Sequence, residues 1–180
     1  MSELTSAAGR AWVFGDAVDT DVLAPGHLMK LPAEELATHC LEAIRPEFSR
    51  AVRPGDVVVA GRSFGIGSSR EQAAVSLKLL GVGAVLALSY ARIFWRNALN
   101  LGLPALVIPD ATRIAEGDQV TVDVAAGRVD NRTTGESWQI PPLPPHLLRI
   151  VEVGGLMPYL KSRYGRAAAS AAALTGRQSG

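Results

Sequence analysis

Residues 55–81 read GDVVVAGRSFGIGSSREQAAVSLKLLG and carry three kinds of local instruction in succession. The run VVVAG at 57–61 is rich in β-branched residues, which suits a strand buried on both faces of a sheet. From Arg70 to Leu80 the apolar residues return at helical spacing, and Gly81 supplies the left-handed residue that commonly ends a helix. Between them lies GIGSSREQ, residues 65–72, with two glycines, two adjacent serines and an arginine where any polar turn would serve. A strand feeding a helix in this way is the unit of a parallel sheet, and open α/β sheets bind ligands beyond the carboxyl ends of their strands.

The same rhythm continues outward. AVLAL at 84–88 reads as a second buried strand, RIFWRNALN at 92–100 as a helix stopped by Gly102, and ALVI at 105–108 as a third strand. The central half of the chain is therefore α/β with right-handed crossovers. Upstream, AWVF at 11–14 is a short strand that enters GDAVDTDVLAPG, a loop too long for a mere turn, and AEELATHCLEAI at 33–44 places Leu36, Cys40, Leu41 and Ile44 on one helical stripe. Downstream, QVTVDVA and GRVDNRTTGESWQI alternate polar and apolar residues about turns at Ala126-Gly127 and Thr134-Gly135, which predicts antiparallel hairpins. The prolines of PPLPP enforce an extended spacer before two short helices, HLLRIVEVGG and LMPYLKSRYG. Residues 165–180 offer Leu174 as their one core-forming side chain and are expected to fray, leaving residues 1–164 as one domain.

Composition narrows the function. The 180 residues carry 18 Lys plus Arg against 17 Asp plus Glu, a balance that offers no surface for a polyanion, so nucleic acid is not expected. A single cysteine, Cys40, excludes an internal disulfide, a multi-cysteine zinc site and an iron–sulfur cluster held by this chain alone, and no metal site is expected on it. No segment reaches the roughly 18 uninterrupted apolar residues of a membrane span, and the N-terminus has no leader-like pattern, so a cytoplasmic location is expected.

The plain alternative for GIGSSREQ is a capping box, in which Ser68 caps the helix and Glu71 reaches back to the serine amide. That leaves Ser69, Arg70 and a second glycine without a purpose. Bare glycines at 65 and 67 would let a ligand approach the backbone, and helix N-terminal amides, two hydroxyls and a guanidinium together suit an anion. Nucleotide motifs fail: a dinucleotide fingerprint from Gly65 needs glycine where Arg70 stands, and a P-loop from Gly61 needs glycine and lysine where Ile66 and Gly67 stand. A small carboxylic acid gripped by Arg70 remains.

GRSFGIGSSREQAA, preceded by GDVVVA and followed by GVGAVLALSYARIFWRNALNLGLP, closely resembles the small subunit of 3-isopropylmalate dehydratase, the swivel domain of the aconitase superfamily. GDAVDTDVLAPG and PPLPPHLLRIVEVGGLMPYL are similar to the same family, so the likeness runs to about residue 164. The resemblance implies a swivelling β/β/α domain with a central parallel or mixed sheet, flanking helices and C-terminal hairpins. It implies a hydro-lyase subunit, of the kind used in leucine biosynthesis, that is inactive without a large subunit bearing a 4Fe-4S cluster. It further implies that Ser68, as an alkoxide, removes a proton beside a substrate carboxylate, with Arg70 serving that alkoxide and binding carboxylate together with Ser69 and Gly67. Departures from the usual run are Gln72 in place of histidine and Ile66 in place of cysteine.

The loop after Asp-Thr-Asp, which in such dehydratases helps select the substrate's γ-group, here reads PGHLMKL; Lys30 would suit an extra carboxylate, and Leu28 and Met29 an alkyl group, with His27 beside them. Isopropylmalate leads among the substrates, followed by dimethylmalate, citramalate or the homoaconitate type. A rival of another class is a non-catalytic carboxylate-binding module, and self-association of the isolated chain is a further possibility. Cys40, His39 and His146 are expected to be packing or surface residues, and Arg92 and Arg96 to be solvated or at a subunit contact.

Overall fold

A computed structural model describes residues 6–175. Its strands are β1 (Ser6–Val13), β2 (Val57–Ala60), β3 (Ala84–Ala87), β4 (Ala105–Val107), β5 (Gln119–Asp123), β6 (Arg128–Asn131) and β7 (Ser137–Gln139). Its helices are α1 (Thr20–Leu23), α2 (Ala33–Ala37), α3 (Phe48–Ala51), α4 (Glu71–Leu79), α5 (Arg92–Asn100), α6 (Pro145–Glu152) and α7 (Leu156–Thr175). All seven strands form one sheet in the order β4-β3-β2-β1-β5-β6-β7. The pairs β1–β2, β2–β3 and β3–β4 are parallel, whereas β1–β5, β5–β6 and β6–β7 are antiparallel. The expected parallel core and late hairpins are thus halves of one mixed sheet.

The seam is β1, and it is longer than the four residues the sequence suggested. Its second half sets Ala11, Trp12 and Val13 beside Val57, Val58 and Val59, while its first half pairs Ser6 to Arg10 with Asp123 to Gln119. The small residues Ala7, Ala8 and Gly9 give no strand signal of their own; β5 recruits them by hydrogen bonding across more than a hundred residues.

Alternation along the parallel strands sorts side chains between two cores. Val58, Ala60, Val85 and Ala87 pack with Ala73 and Leu77 of α4 and Phe94 and Ala98 of α5. Val57, Val59, Ala84 and Leu86 pack on the opposite face with Ile114, Trp138 and Val151. This is why the valine run has no polar alternation: both faces of β2 are fully buried.

Two expectations on helices are corrected. The predicted helix over 33–44 ends at Ala37, after which the amides of Thr38, His39 and Cys40 turn to the carbonyls three residues back. Leu41 then adopts a φ of 61° and donates its amide to Val22 O at 2.9 Å, which no continuing helix permits. The apolar stripe is real all the same, since Leu36, Cys40 and Leu41 are buried in one core while Ile44 stays exposed. The last of the two short helices is not short, because α7 continues through the alanine run to Thr175. The end of the expected tail, 176–180, lies outside the described residues.

Candidate functional site

The C-terminal ends of β1 and β2 release the two loops that carry the unusual sequence. They are stitched together by backbone bonds: Gly65 donates to Val18 O at 2.8 Å, and Thr20 donates to Ile66 O at 2.8 Å. GIGSSR therefore lies against Asp-Thr-Asp, which sequence reasoning had noted only as a long loop.

Ser68 is not a helix cap. Helix α4 begins at Glu71 with Arg70 as its N-cap residue, and no side chain makes the capping hydrogen bond. The S-x-x-E pattern is present, but Ser68 stands too early for it. Its amide donates to Thr20 Oγ1 at 2.9 Å, and its hydroxyl lies 3.2 Å from that same oxygen. Thr20 is 1% exposed, whereas Ser68 and its neighbour Ser69 are exposed. A buried hydroxyl thus holds an open one in place.

Arg70 is anchored in the same loop. Its Nη1 donates to Asp21 Oδ1 at 2.6 Å and to Ala24 O at 3.0 Å. Asp21 Oδ1 also accepts the Gly26 amide at 2.8 Å, and the Arg70 hydrogen bond, followed by that amide, holds the Asp21 carboxyl below the usual carboxylate range. Both charges remain accessible to water, so the pair orients the guanidinium more than it stabilises the fold. Among the described residues, Nε and Nη2 of Arg70 make no hydrogen bond, and Nη2 lies beside Gly26, where a Cβ would stand 2.9 Å from it. The Asp19 side chain in turn accepts the Asp21 amide, fixing the start of α1.

The two glycines of the loop have a different reason from the one the sequence suggested. At Gly65, with φ of 79°, a Cβ would lie 2.2 Å from the Phe94 ring. At Gly67, with φ of 116°, it would lie 2.8 Å from Thr20 Oγ1 and close to the Asp19 carboxylate. Both are required by the protein's own packing. Ile66, at the position of the family's cysteine, is 43% exposed and joins the network only through its carbonyl.

The loop expected to select the substrate is only partly brought to this place. His27 and Leu28 line a cavity of about 490 Å³ together with Asp21, Val22, Pro25, His39, Glu42 and Ala43. Lys30 is exposed and outside that lining, and Met29 packs against the core. His39, expected as a packing or surface residue, is half-buried and paired with Glu42 at the cavity wall. Cys40 is wholly buried and its thiol is pushed far above the ordinary range by that burial, as a packing residue would be. His146 shares a separate cavity with Arg92 and Arg96.

Sequence reasoning missed Thr20 and Asp21. Their partners stand 48 and 49 residues away, and the only local signal was an Asp-rich loop longer than a turn needs.

Comparison with known proteins gives the family of the chain. A family described as the aconitase C-terminal domain matches residues 44–111. The chain is 51% identical over 160 residues to a 3-isopropylmalate dehydratase small subunit of Archaeoglobus fulgidus, covering 88% of this chain and 99% of the relative. It is 50% identical over 156 residues to the methanogen homoaconitase small subunit of Methanothermobacter thermautotrophicus, covering 86% and 91%. A crystal structure of 3-isopropylmalate dehydratase from Methanocaldococcus jannaschii superposes with a TM-score of 0.87 at 38% identity, over 92% of this chain and 99% of that one.

Proposed function

The chain belongs to the family of 3-isopropylmalate dehydratase small subunits, and from that premise we propose that it works as one half of a hydro-lyase acting on a hydroxy di- or tricarboxylic acid, with a large subunit as its partner. The observation that carries this reading is the Ser68 hydroxyl, exposed at the sheet's carboxyl edge and held by buried Thr20 beside an arginine with one free edge. A non-catalytic binding module would need the arginine but not the held serine.

In this reading Ser68 Oγ, as the alkoxide, takes the proton from the carbon beside a substrate carboxylate. The C–H electron pair then delocalises into that carboxylate, and the free edge of Arg70 with the Ser69 hydroxyl and the Gly67 backbone holds the growing charge. Protonated Ser68 is the acid for the reverse step. A 4Fe-4S cluster acting on the leaving hydroxyl does not fit this chain's residues. Cys40, its one cysteine, is sealed in the core, and the described residues contain no metal-holding group of His, Cys, Asp and Glu side chains. The cluster belongs, in this proposal, to the large subunit, and the pair works in the cytoplasm. No described helix is long and apolar enough to cross a membrane.

The cavity beside Asp21 favours an alkyl γ-group over a further carboxylate. Val22, Pro25, Leu28 and Ala43 supply apolar wall, and Asp21 and Glu42 are paired with Arg70 and His39. An isopropyl or dimethyl group buries against the former, while a third carboxylate would have to compete with those two pairs for a partner.

The test is reconstitution with the large subunit from the same source, followed by ultraviolet absorbance of unsaturated product with isopropylmalate, dimethylmalate, citramalate, citrate and homocitrate. One alkyl malate is expected to give signal, and Ser68→Ala to lower kcat by roughly 10³, within the range of a lost general base. Full activity of Ser68→Ala, or silence across the panel from an assembled complex, overturns the proposal.

A further inference from the structure

We propose that Thr20 is a positioning residue for the base, setting the proton affinity of Ser68 by donating its hydroxyl hydrogen to the Ser68 alkoxide; this rests on the reading of Ser68 above. The direction of the hydrogen bonds follows from what each group can do. A backbone amide only donates, so the 2.9 Å contact from Ser68 N makes Thr20 Oγ1 an acceptor there. That fills one lone pair and leaves Thr20 one hydrogen and one further lone pair. The 3.2 Å contact between the two hydroxyl oxygens permits either direction while Ser68 is protonated. Once Ser68 loses its proton it has nothing left to donate, and the Thr20 hydrogen has to turn toward it. The amide donating to the same Thr20 oxygen helps to fix the hydroxyl in that orientation.

Burial and geometry make this contact count. Thr20 is 1% exposed while Ser68 is open, so the contact is part-buried, and a donor already held in place on its buried side stabilises charge on the open oxygen without having to reorganise. Its position is set on three sides. Asp19 caps the helix turn that Thr20 opens, the Thr20 amide is bound to Ile66 O, and Gly67 lies so close that a Cβ there would stand 2.8 Å from Thr20 Oγ1. The branched Cβ of threonine adds stiffness about χ1, which a serine lacks. Gly67 is thus the residue that lets the threonine hydroxyl reach Ser68.

Thr20→Val keeps the shape and removes the hydroxyl; Thr20→Ser keeps the hydroxyl and loses the methyl. Both are measured in the reconstituted complex as kcat against pH, alongside Ser68→Ala. Loss of one preorganised donor to an oxyanion costs roughly 10²–10³ in kcat. Thr20→Val should fall by that factor, with the alkaline-going limb of its pH profile moved up by at least about one unit, since a base without its donor holds its proton more tightly. Thr20→Ser should remain within about tenfold of wild type with the limb in place. A merely structural Thr20 would lower the amount of active complex without moving that limb. The inference is overturned if Ser68→Ala is inactive while Thr20→Val matches wild type in rate and limb, or if Thr20→Ser loses as much as Thr20→Val. If Ser68→Ala is itself active, the reading of the base fails first, and the two failures are told apart.

Discussion

The sheet has two polar networks at its opposite ends, and they are built to different ends. At the N-terminal end of β2, Asp56 is 6% exposed and accepts three hydrogen bonds, from Arg10 N at 2.9 Å, Trp12 Nε1 at 3.0 Å and Arg53 N at 2.9 Å. Its acceptors meet donors inside the protein, and Arg10 covers the Trp12 ring at 4.3 Å. At the C-terminal end, Thr20 and Asp21 hold Ser68 and Arg70 by one side each and leave the other side facing outward. A network closed on itself secures β1 to β2, whereas the other is left half-open at the edge where parallel strands end, the kind of place at which open α/β sheets bind ligands. The difference lies in what each network leaves unmade, since the residue types are much the same.

The largest expected effects separate the two networks completely. Ser68→Ala, which should cost roughly 10³ in kcat, is expected to lower stability by no more than about 1 kcal/mol, because it removes one partner of the buried Thr20 hydroxyl while the Ser68 amide still donates to that oxygen. Asp56→Ala should do the converse. It orphans three donors beside the sheet, at about 1–3 kcal/mol for each that water does not rescue, so a loss of about 3 kcal/mol in a denaturant titration is expected. The surviving folded complex should keep its kcat. A Ser68→Ala as destabilised as Asp56→Ala, or an Asp56→Ala of normal stability with lowered kcat, would reverse the assignment of the two networks.

A smaller effect tests the half that faces outward. Asp21→Asn removes the charge that aims Arg70, and KM is expected to rise by about tenfold with a lesser change in kcat, as for a carboxylate-binding guanidinium that has lost its orientation. The pH dependence has a definite sign. Because the Asp21 pKa is depressed in the folded protein, its pairing with Arg70 is complete above the ordinary carboxylate range and is lost only as pH falls through the lowered value. Wild-type KM should therefore contain no rise due to Asp21 until pH is below that ordinary range, and Asp21→Asn should lack the rise altogether. An unchanged KM in Asp21→Asn would show that Arg70 needs no such anchor.

The closed parts of the molecule were the legible ones. The valine run of β2, the helical spacing of α4 and α5, and glycine at 81 and 102 are local signals whose outcome tertiary contact did not alter. Where long-range bonds decide, local pattern misled. The apolar spacing of 33–44 is the same in a helix and in a helix that unwinds, and only the Leu41 bond to Val22 distinguishes them. The S-x-x-E at Ser68 has the form of a cap, yet Thr20 takes both the amide and the hydroxyl. The serines and arginine stood out because two hydroxyls, a guanidinium and two glycines in one run exceed what a cap or turn needs; the threonine and aspartate that hold them do not, since Asp and Thr are ordinary in loops.

Lys30 supplies the smallest effect and the finest test of the open end. The sequence suits it to an extra substrate carboxylate, but it stands exposed and outside the cavity that His27 and Leu28 line. A fully solvated lysine contributes little to binding a carboxylate, because water screens the attraction and the long side chain loses freedom on contact. If the cavity selects an alkyl group, Lys30→Ala should change the ratio of kcat/KM between isopropylmalate and a tricarboxylic acid by less than about threefold, whereas Leu28→Lys, which puts a cation in the cavity wall, should move that ratio by about tenfold or more toward the tricarboxylic acid. A tenfold loss of the tricarboxylic acid in Lys30→Ala would instead mean that the loop closes over substrate and carries Lys30 inward. In that event the boundary between the packed and the open part of this molecule falls at Leu28, and selection belongs to the loop in its closed position.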